Sequence, residues 1–445
     1  MKRKKALILS TFLWGSGQFF ICKQRVKGII YFALQMLMIG MELFSGYWLE
    51  YLAGSVNDFS IRLHGGFFTK GLWGIITLGE KVGGKYGDHS TMLLINGIIS
   101  IFTILIFIII YGFNIRDAYL TAKKIDETGE YVSSKDYFHK VGYKNFPYLI
   151  LVPIGIAFLF VVVMPIIFSL LTAFSNYNRD HLPPGNLLDW VGIANFKKIL
   201  TVPIWSKTFG KVLIWTVIWT ICSTLSAYFL GMLQALILNH KSVKFKKVFR
   251  TILILPWAIP QMITLLIFRN LLNGQFGPLN QLLLSLGFIS ENIPFLSDPF
   301  VAKITVLVVN LWLSFPMFMV MMLGVFANLD QSLYEAAYID GAGKVQAFRK
   351  ITLPLVFQAT IPNLVMTMAG NFNSFGAIYF LTQGGPINPN MQFAGDTDIL
   401  ISWIYKLTLN QQMYDIAAVM SVLLFIIVGS ISYWNFKRTV SFKEL

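Results

Sequence analysis

At 445 residues, 56% hydrophobic and 13% charged, with a mean hydropathy of +0.64, the chain has too few ionisable side chains to solvate the outside of a soluble globule, and this places it in lipid. Its formal charge of +15 would suit a nucleic-acid partner, but the Lys and Arg residues stand in short clusters beside apolar runs, so the charge is read as membrane anchoring and no nucleic acid is expected. Cys22 and Cys222, the only cysteines, lie inside apolar segments without a CxxC or His-rich neighbour; no disulfide or metal site is expected, and both are read as packing residues.

The chain opens with MKRKK and an apolar run over 6–22. The outline is that of a signal peptide, yet no A-x-A-like site follows and Lys23, Arg25 and Lys27 come next, so the segment is expected to be retained. Positive charge on both sides of the run argues against spanning. Residues 1–26 are therefore read as an interfacial or re-entrant segment with Trp14 near the headgroups, held by Lys2–Lys5 and Lys23–Lys27.

Eight later stretches are long and apolar enough to cross about 30 Å of hydrocarbon as helices. They fall at 28–47, 92–113, 147–174, 208–238, 250–272, 302–326, 355–381 and 412–434. The fold class is thus an all-α integral membrane protein of about eight transmembrane helices. Residues 27–146 hold two extra helices with their loops, 147–438 a six-helix domain, and 439–445 a tail. The segments 114–146, 240–250 and 435–445 are basic, whereas 273–301 and 382–405 contain no Lys or Arg, which predicts that both termini are cytoplasmic. The loop 48–91 is then external, and 114–146, with its KKIDETGEYVSSKD, is an internal solvated turn or short helix.

Few motifs suggest chemistry. GEKVGGKY at 79–86 approaches a phosphate-cradling loop but has Tyr86 where a hydroxyl for magnesium is needed and no preceding strand. There is no HExxH or GxSxG, and the five histidines are scattered, so no enzyme activity is expected and energy must come from elsewhere. Asp396 and Asp398 are the closest external acidic pair and are read as part of a solvated turn.

The segment NLDQSLYEAAYIDGAGKVQAFRKITLPL at 328–355 stands apart. Asp330 or Ser332 can cap a helix, Ser332 with Glu335 fits a capping box, and Ala336 and Ala337 give a thin face that another protein can approach closely. Gly341 and Gly343 permit a sharp exit, Phe348, Ile351 and Leu353 can pack on the membrane domain, and Pro354 can open the next helix.

The run from Glu335, Ala336 and Ala337 through Asp340 and Gly341 to Ile351 and Pro354 resembles the EAA loop of permease subunits in binding-protein-dependent ABC importers. VFRTILILPWAIPQMITLLIFRNLLNGQFGPLN (248–280), NLWLSFPMF (310–318) and GNFNSFGAIYFLTQGGP (370–386) are similar to the larger permease subunit of the maltose/maltodextrin branch. The resemblance covers 147–438 and implies a type I six-helix permease core in a bacterial cytoplasmic membrane. It also implies the partners: a second permease subunit, two ATP-binding subunits that hold ATP and magnesium, an extracellular solute-binding protein and an oligosaccharide. In that family the loop, here Glu335, Ala336, Ala337, Asp340, Gly341, Phe348, Ile351 and Pro354, is the coupling helix seated on the ATPase. The external segment 175–207 is short where the best-known relative carries a folded domain.

A sugar in a membrane cavity needs hydrogen-bonding side chains and aromatic faces, and buried polar residues in such helices are costly enough to be suspects. Thr367, Asn371 and Ser374 fall at i, i+4 and i+7 on one face of the predicted helix 355–381. The resemblance implies sugar contacts for these three, for Asn310, Leu313, Ser314 and Met317, and for Trp257 and Gln261 beside Pro256 and Pro260. The differing reading is that such residues join helices by hydrogen bonds. An ion-coupled secondary sugar transporter is the alternative function, and it lacks the mid-membrane ionisable residues that coupling would need.

Overall fold

The structure is a computed structural model that describes residues 2–55, 58–82, 86–134, 137, 146–240 and 242–438. The predicted segments Lys135–Asp136, Lys140, Lys144 and the tail 439–445 lie outside the described residues. Six described helices are long and apolar enough to cross a membrane, a bent pair makes a seventh span, and the apolar stretch Tyr414–Ser430 is shorter. Two compact units result, Met1–Gly192 and Ile193–Leu445.

In the first unit, α1 (Lys2–Phe12) is about 16 Å long, too short to cross a bilayer. The chain turns at Gly15, runs back through a π turn at Gly17–Ile21 and enters α2 (Arg25–Ser45). Gly15 has φ +78°, and a Cβ there would stand 2.0 Å from the Gly28 carbonyl oxygen, so only glycine allows this hairpin to close. After α3 (Trp48–Leu52) and α4 (Ile61–His64) comes α5 (Phe67–Thr77), an apolar helix inside what the sequence reading took as a loop. The stretch 79–86 contributes to a two-residue antiparallel ribbon, β1 (Lys81–Val82) with β2 (Tyr86–Gly87).

The 39-residue α6 (Ser90–Thr128) carries the hairpin on its second half. Its Asn114 donates to the Ser10 carbonyl at 2.9 Å and accepts from the Gly15 amide at 3.0 Å, and Gln18 reaches both the Asn114 carbonyl and Asp117. Lys27 closes the cluster with an ion pair to Asp117 at 2.5 Å, its side chain 5% exposed. The amides of Lys2 and Arg3 reach Asp126, so the hairpin enters and leaves at the same end of α6. Two details differ from the sequence reading. Trp14 is buried against Tyr111 and Phe107, midway along α6, and Lys27 serves a buried pair because Asp117 draws it inward.

The helix α7 (Phe146–Thr172) packs in this same unit, with Leu159, Phe160 and Val163 against Leu94, Ile98 and Phe102. The chain after it is bridged at Ser175 and Trp190 and buries Leu188, whose amide donates to Ser90 Oγ.

The second unit begins with α8 (Ala194–Thr201) and α9 (Pro203–Asn239). The broken span follows: α10 (Lys246–Ala258) and α11 (Gln261–Leu271) meet at 89°. Pro256 removes a ladder donor inside α10, and Pro260, which cannot donate to continue that helix, is the N-cap of α11. Beyond α12 (Pro278–Ser285) lie α13 (Pro299–Ala327) and α14 (Gln331–Ile339). The span α15 (Lys344–Phe372) is followed by α16 (Phe375–Thr382), α17 (Leu400–Tyr405) and α18 (Tyr414–Arg438). The predicted helix 355–381 thus starts earlier and breaks at Asn373–Ser374, where Phe375 bonds back to the Asn373 carbonyl.

The core of this unit gathers Trp215, Trp219, Leu265, Val306, Leu313 and Ile378, and beside it Tyr228, Met232, Phe318, Met322 and Val356. Cys22 is packed as expected, against Ala118, Ala122 and Ile125, but Cys222 is exposed on the outer face of α9. Asp398, read as part of a solvated turn, is 1% exposed: it pairs with Lys406 at 2.5 Å and accepts from Ser402 and the Gly395 amide. Lys406 lies just beyond the predicted loop, which is why the pairing was not visible from the acidic residues alone.

Candidate functional site: a presented helix and a polar cluster

Two regions collect the predicted site residues. The first is α14. Asp330 caps it, its Oδ1 accepting from the Ser332 amide at 2.9 Å, and this bond holds the carboxyl below its ordinary value. Ser332 lies inside the first turn, so the predicted capping box with Glu335 does not form; Asp330 already occupies the cap. The exit is a Schellman motif, with the Gly341 amide on the Tyr338 carbonyl and the Ala342 amide on that of Ala337. Gly341 has φ +78° with open space where a Cβ would stand, so the demand for glycine is conformational and not steric.

The helix is presented outward. Glu335, Ala336, Asp340 and Gly341 are exposed, Ala337 half-buried, and the apolar Ile339 is 86% exposed. The Tyr334 and Thr352 hydroxyls, 2.8 Å apart, tie it down. Beyond Gly343, α15 passes through a π turn at Phe348–Thr352 with Phe348 and Ile351 half-buried, and Leu353 packs on the Tyr228–Phe318 core. Pro354 stands in the first turn of the regular α-helix Leu353–Phe372, as the sequence reading expected, with the π turn running on behind it in the same span. Just before it the Leu353 amide bonds to Phe348, five residues back.

The second region lies along α9. Asn371 of α15 donates from Nδ2 to Thr224 Oγ1 at 2.9 Å, and its main-chain carbonyl accepts from Trp219 Nε1 at 3.0 Å. Thr367 bonds to its own helix, at the Asn363 carbonyl, and Ser374 precedes α16 across the break. The one-face argument therefore holds for Thr367 and Asn371 and does not extend to Ser374, because the helix ends at Phe372. On α13, Asn310 is 3% exposed, Leu313 is packed in the Trp219 core, and Ser314 is half-buried. Met317, Trp257 and Gln261 lie exposed on the chain's own surface.

Sequence reading missed the α9 contribution. Thr216, Thr220, Ser223, Thr224 and Ala227 form a buried stripe at three- and four-residue spacing, a signal the apolar character of the helix masks. Ser223 Oγ and Asn310 Nδ2 are buried with no hydrogen-bond partner among the described residues, a condition costing about 1–3 kcal/mol per group. The described residues hold no group of three His, Cys, Asp or Glu suited to a metal ion.

A family model described as the binding-protein-dependent transport system inner membrane component matches residues 227–441. The galactooligosaccharides transport system permease protein GanP of Bacillus subtilis (strain 168) is 38% identical over 444 residues, covering 100% of both chains. The maltodextrin transport system permease protein MalC of Streptococcus pneumoniae (strain ATCC BAA-334 / TIGR4) is 36% identical over 448 residues, 98% of this chain and 96% of that one. The likeness thus runs through the N-terminal hairpin and extra helices and is not confined to 147–438. In fold, the chain is similar to a subunit of a bacterial ABC transporter involved in the import of the acidic polysaccharide alginate, at TM-score 0.54 and 23% identity over 68% of this chain and 99% of that one. The chain therefore belongs to the binding-protein-dependent transport system inner membrane components, as a multi-pass permease subunit that catalyses no reaction of its own.

Proposed function

We propose that this permease forms half of the translocation pathway of an importer for neutral oligosaccharides of the maltodextrin type. The substrates for which the relatives are named, maltodextrin and galactooligosaccharides, support an oligosaccharide as the class. A second permease subunit completes the pathway, two ATP-binding subunits hold ATP and magnesium, and an extracellular solute-binding protein delivers the sugar. Both termini and α14 face the cytoplasm of a bacterial cell, and the translocating domain is 147–438. Sugar contacts come from Trp257, Gln261, Asn310, Leu313, Ser314, Met317, Thr367, Asn371 and Ser374.

The presented α14 carries this reading. A nine-residue helix, capped at both ends and tied to the span behind it through Tyr334 and Thr352, exposes Ile339, Glu335 and Ala336 among the described residues. A motor subunit seated there pushes on α15 through the Tyr334–Thr352 bond, and the bundle alternates between two openings. Glu335→Lys, or Gly341→Val at the positive φ, is expected to abolish sugar uptake in cells while leaving the protein in the membrane and sugar binding by the binding protein unchanged. Uptake at wild-type rate in both variants would falsify the coupling role.

A further inference from the structure

We propose that Thr224 is a positioning residue for Asn371, and that Ser223 of α9 and Asn310 of α13 add buried, unmatched groups that take up sugar hydroxyls or water when the pathway opens. This rests on the sugar-site reading of Asn310 and Asn371 and adds to it two α9 residues that resemblance did not mark.

The Asn371 amide is not free in this structure. Its Nδ2 is spent on Thr224 Oγ1 at 2.9 Å, and the main-chain carbonyl of the same residue accepts from Trp219 Nε1. A threonine hydroxyl on a neighbouring helix fixes the amide's rotation, and thereby decides which of its faces a ligand meets. Thr224 is itself fully buried, so its hydroxyl has no solvent to turn to and the pairing is directional.

One residue earlier, Ser223 is also fully buried and its Oγ has no partner among the described residues; the same holds for Asn310 Nδ2. The two lie at one level of adjoining helices. Lys303 stands over the Trp215 ring, and further along a Cβ on Gly231 would be 2.6 Å from Phe318 Cβ. Position 223 is midway between 215 and 231, and 310 is close to midway between 303 and 318. A lone donor on α13 and a lone hydroxyl on α9, next in sequence to the threonine that holds Asn371, are each open to a small polar partner, a water or a sugar hydroxyl.

The test uses the assembled transporter with its ATPase subunits and binding protein in vesicles, reading sugar moved per ATP hydrolysed. Thr224→Val is expected to lower that ratio several-fold with ATPase activity and assembly retained, and Thr224→Ser to restore it. Thr224→Val combined with Asn371→Ala is expected to be no worse than Asn371→Ala alone, since the first acts through the second. Additive losses, or a Thr224→Val ratio equal to wild type beside a defective Asn371→Ala, overturn the inference alone. Asn371→Ala at the wild-type ratio overturns the sugar-site reading, and the inference with it.

Discussion

At the scale of single residues, the structure separates polar side chains that serve a fold from those left with something to do. Lys27 and Asp117 are of the first kind: the pair is largely buried, and Gln18 and Gln24 complete its hydrogen bonds. Removing one partner strands a charge, so Lys27→Met is expected to cost about 3 kcal/mol. Lys27→Met with Asp117→Leu should recover most of that, as read by thermal unfolding in detergent; a single variant as stable as the parent would remove the pair from the account. Asn310 and Ser223 are of the second kind, buried and unmatched among the described residues. Candidate residues named by resemblance were visible in the sequence as types, but their company was not. Thr224 meets Asn371 across 147 positions, and no local pattern encodes the rotation of one helix against another.

At the scale of elements, helix ends were the most readable features and helix interiors the least. Asp330, the alanines and Gly341 announced α14 because capping and positive φ each restrict residue choice to a few types. The cap also sets a pH dependence. The Asp330 carboxyl is held below its ordinary value in the folded chain, so its contribution is present above the unfolded value of about 3.9 and is lost as pH falls through the lower folded value. Amide exchange at 331–334, corrected for intrinsic rate, is therefore expected to accelerate below that range and stay flat from pH 5 to 8; acceleration on the alkaline side would contradict the cap. Breaks inside spans were partly legible. Pro256 and Pro260 forecast the bend between α10 and α11, whereas the π turn before Pro354 and the break at Asn373 were not foreseen. A proline declares a missing donor, but whether the helix ends, bends or takes in an extra residue depends on what packs around it.

At the scale of the whole molecule, each unit has its own logic. The N-terminal unit wraps a short hairpin and α5 onto one long helix, and the C-terminal unit collects the broken span, α14 and the polar stripe of α9. On the function proposed above, this permease subunit takes its energy from separate ATP-binding subunits. The purified chain alone in liposomes is therefore expected to give no sugar flux under an imposed proton or sodium gradient, measured with radiolabelled maltotriose; flux under a gradient would restore the ion-coupled transporter.

The sequence by itself determined the solvent, the approximate spans and the presented helix, because transfer into hydrocarbon and the geometry of helix ends act on short stretches of chain. Only the tertiary structure decided that Trp14 and Lys27 turn inward, that Asp398 is paired and buried, and that Thr224 holds Asn371. Those outcomes depend on which distant side chain arrives opposite, and that is set by helix rotation and register, not by any residue's own preferences.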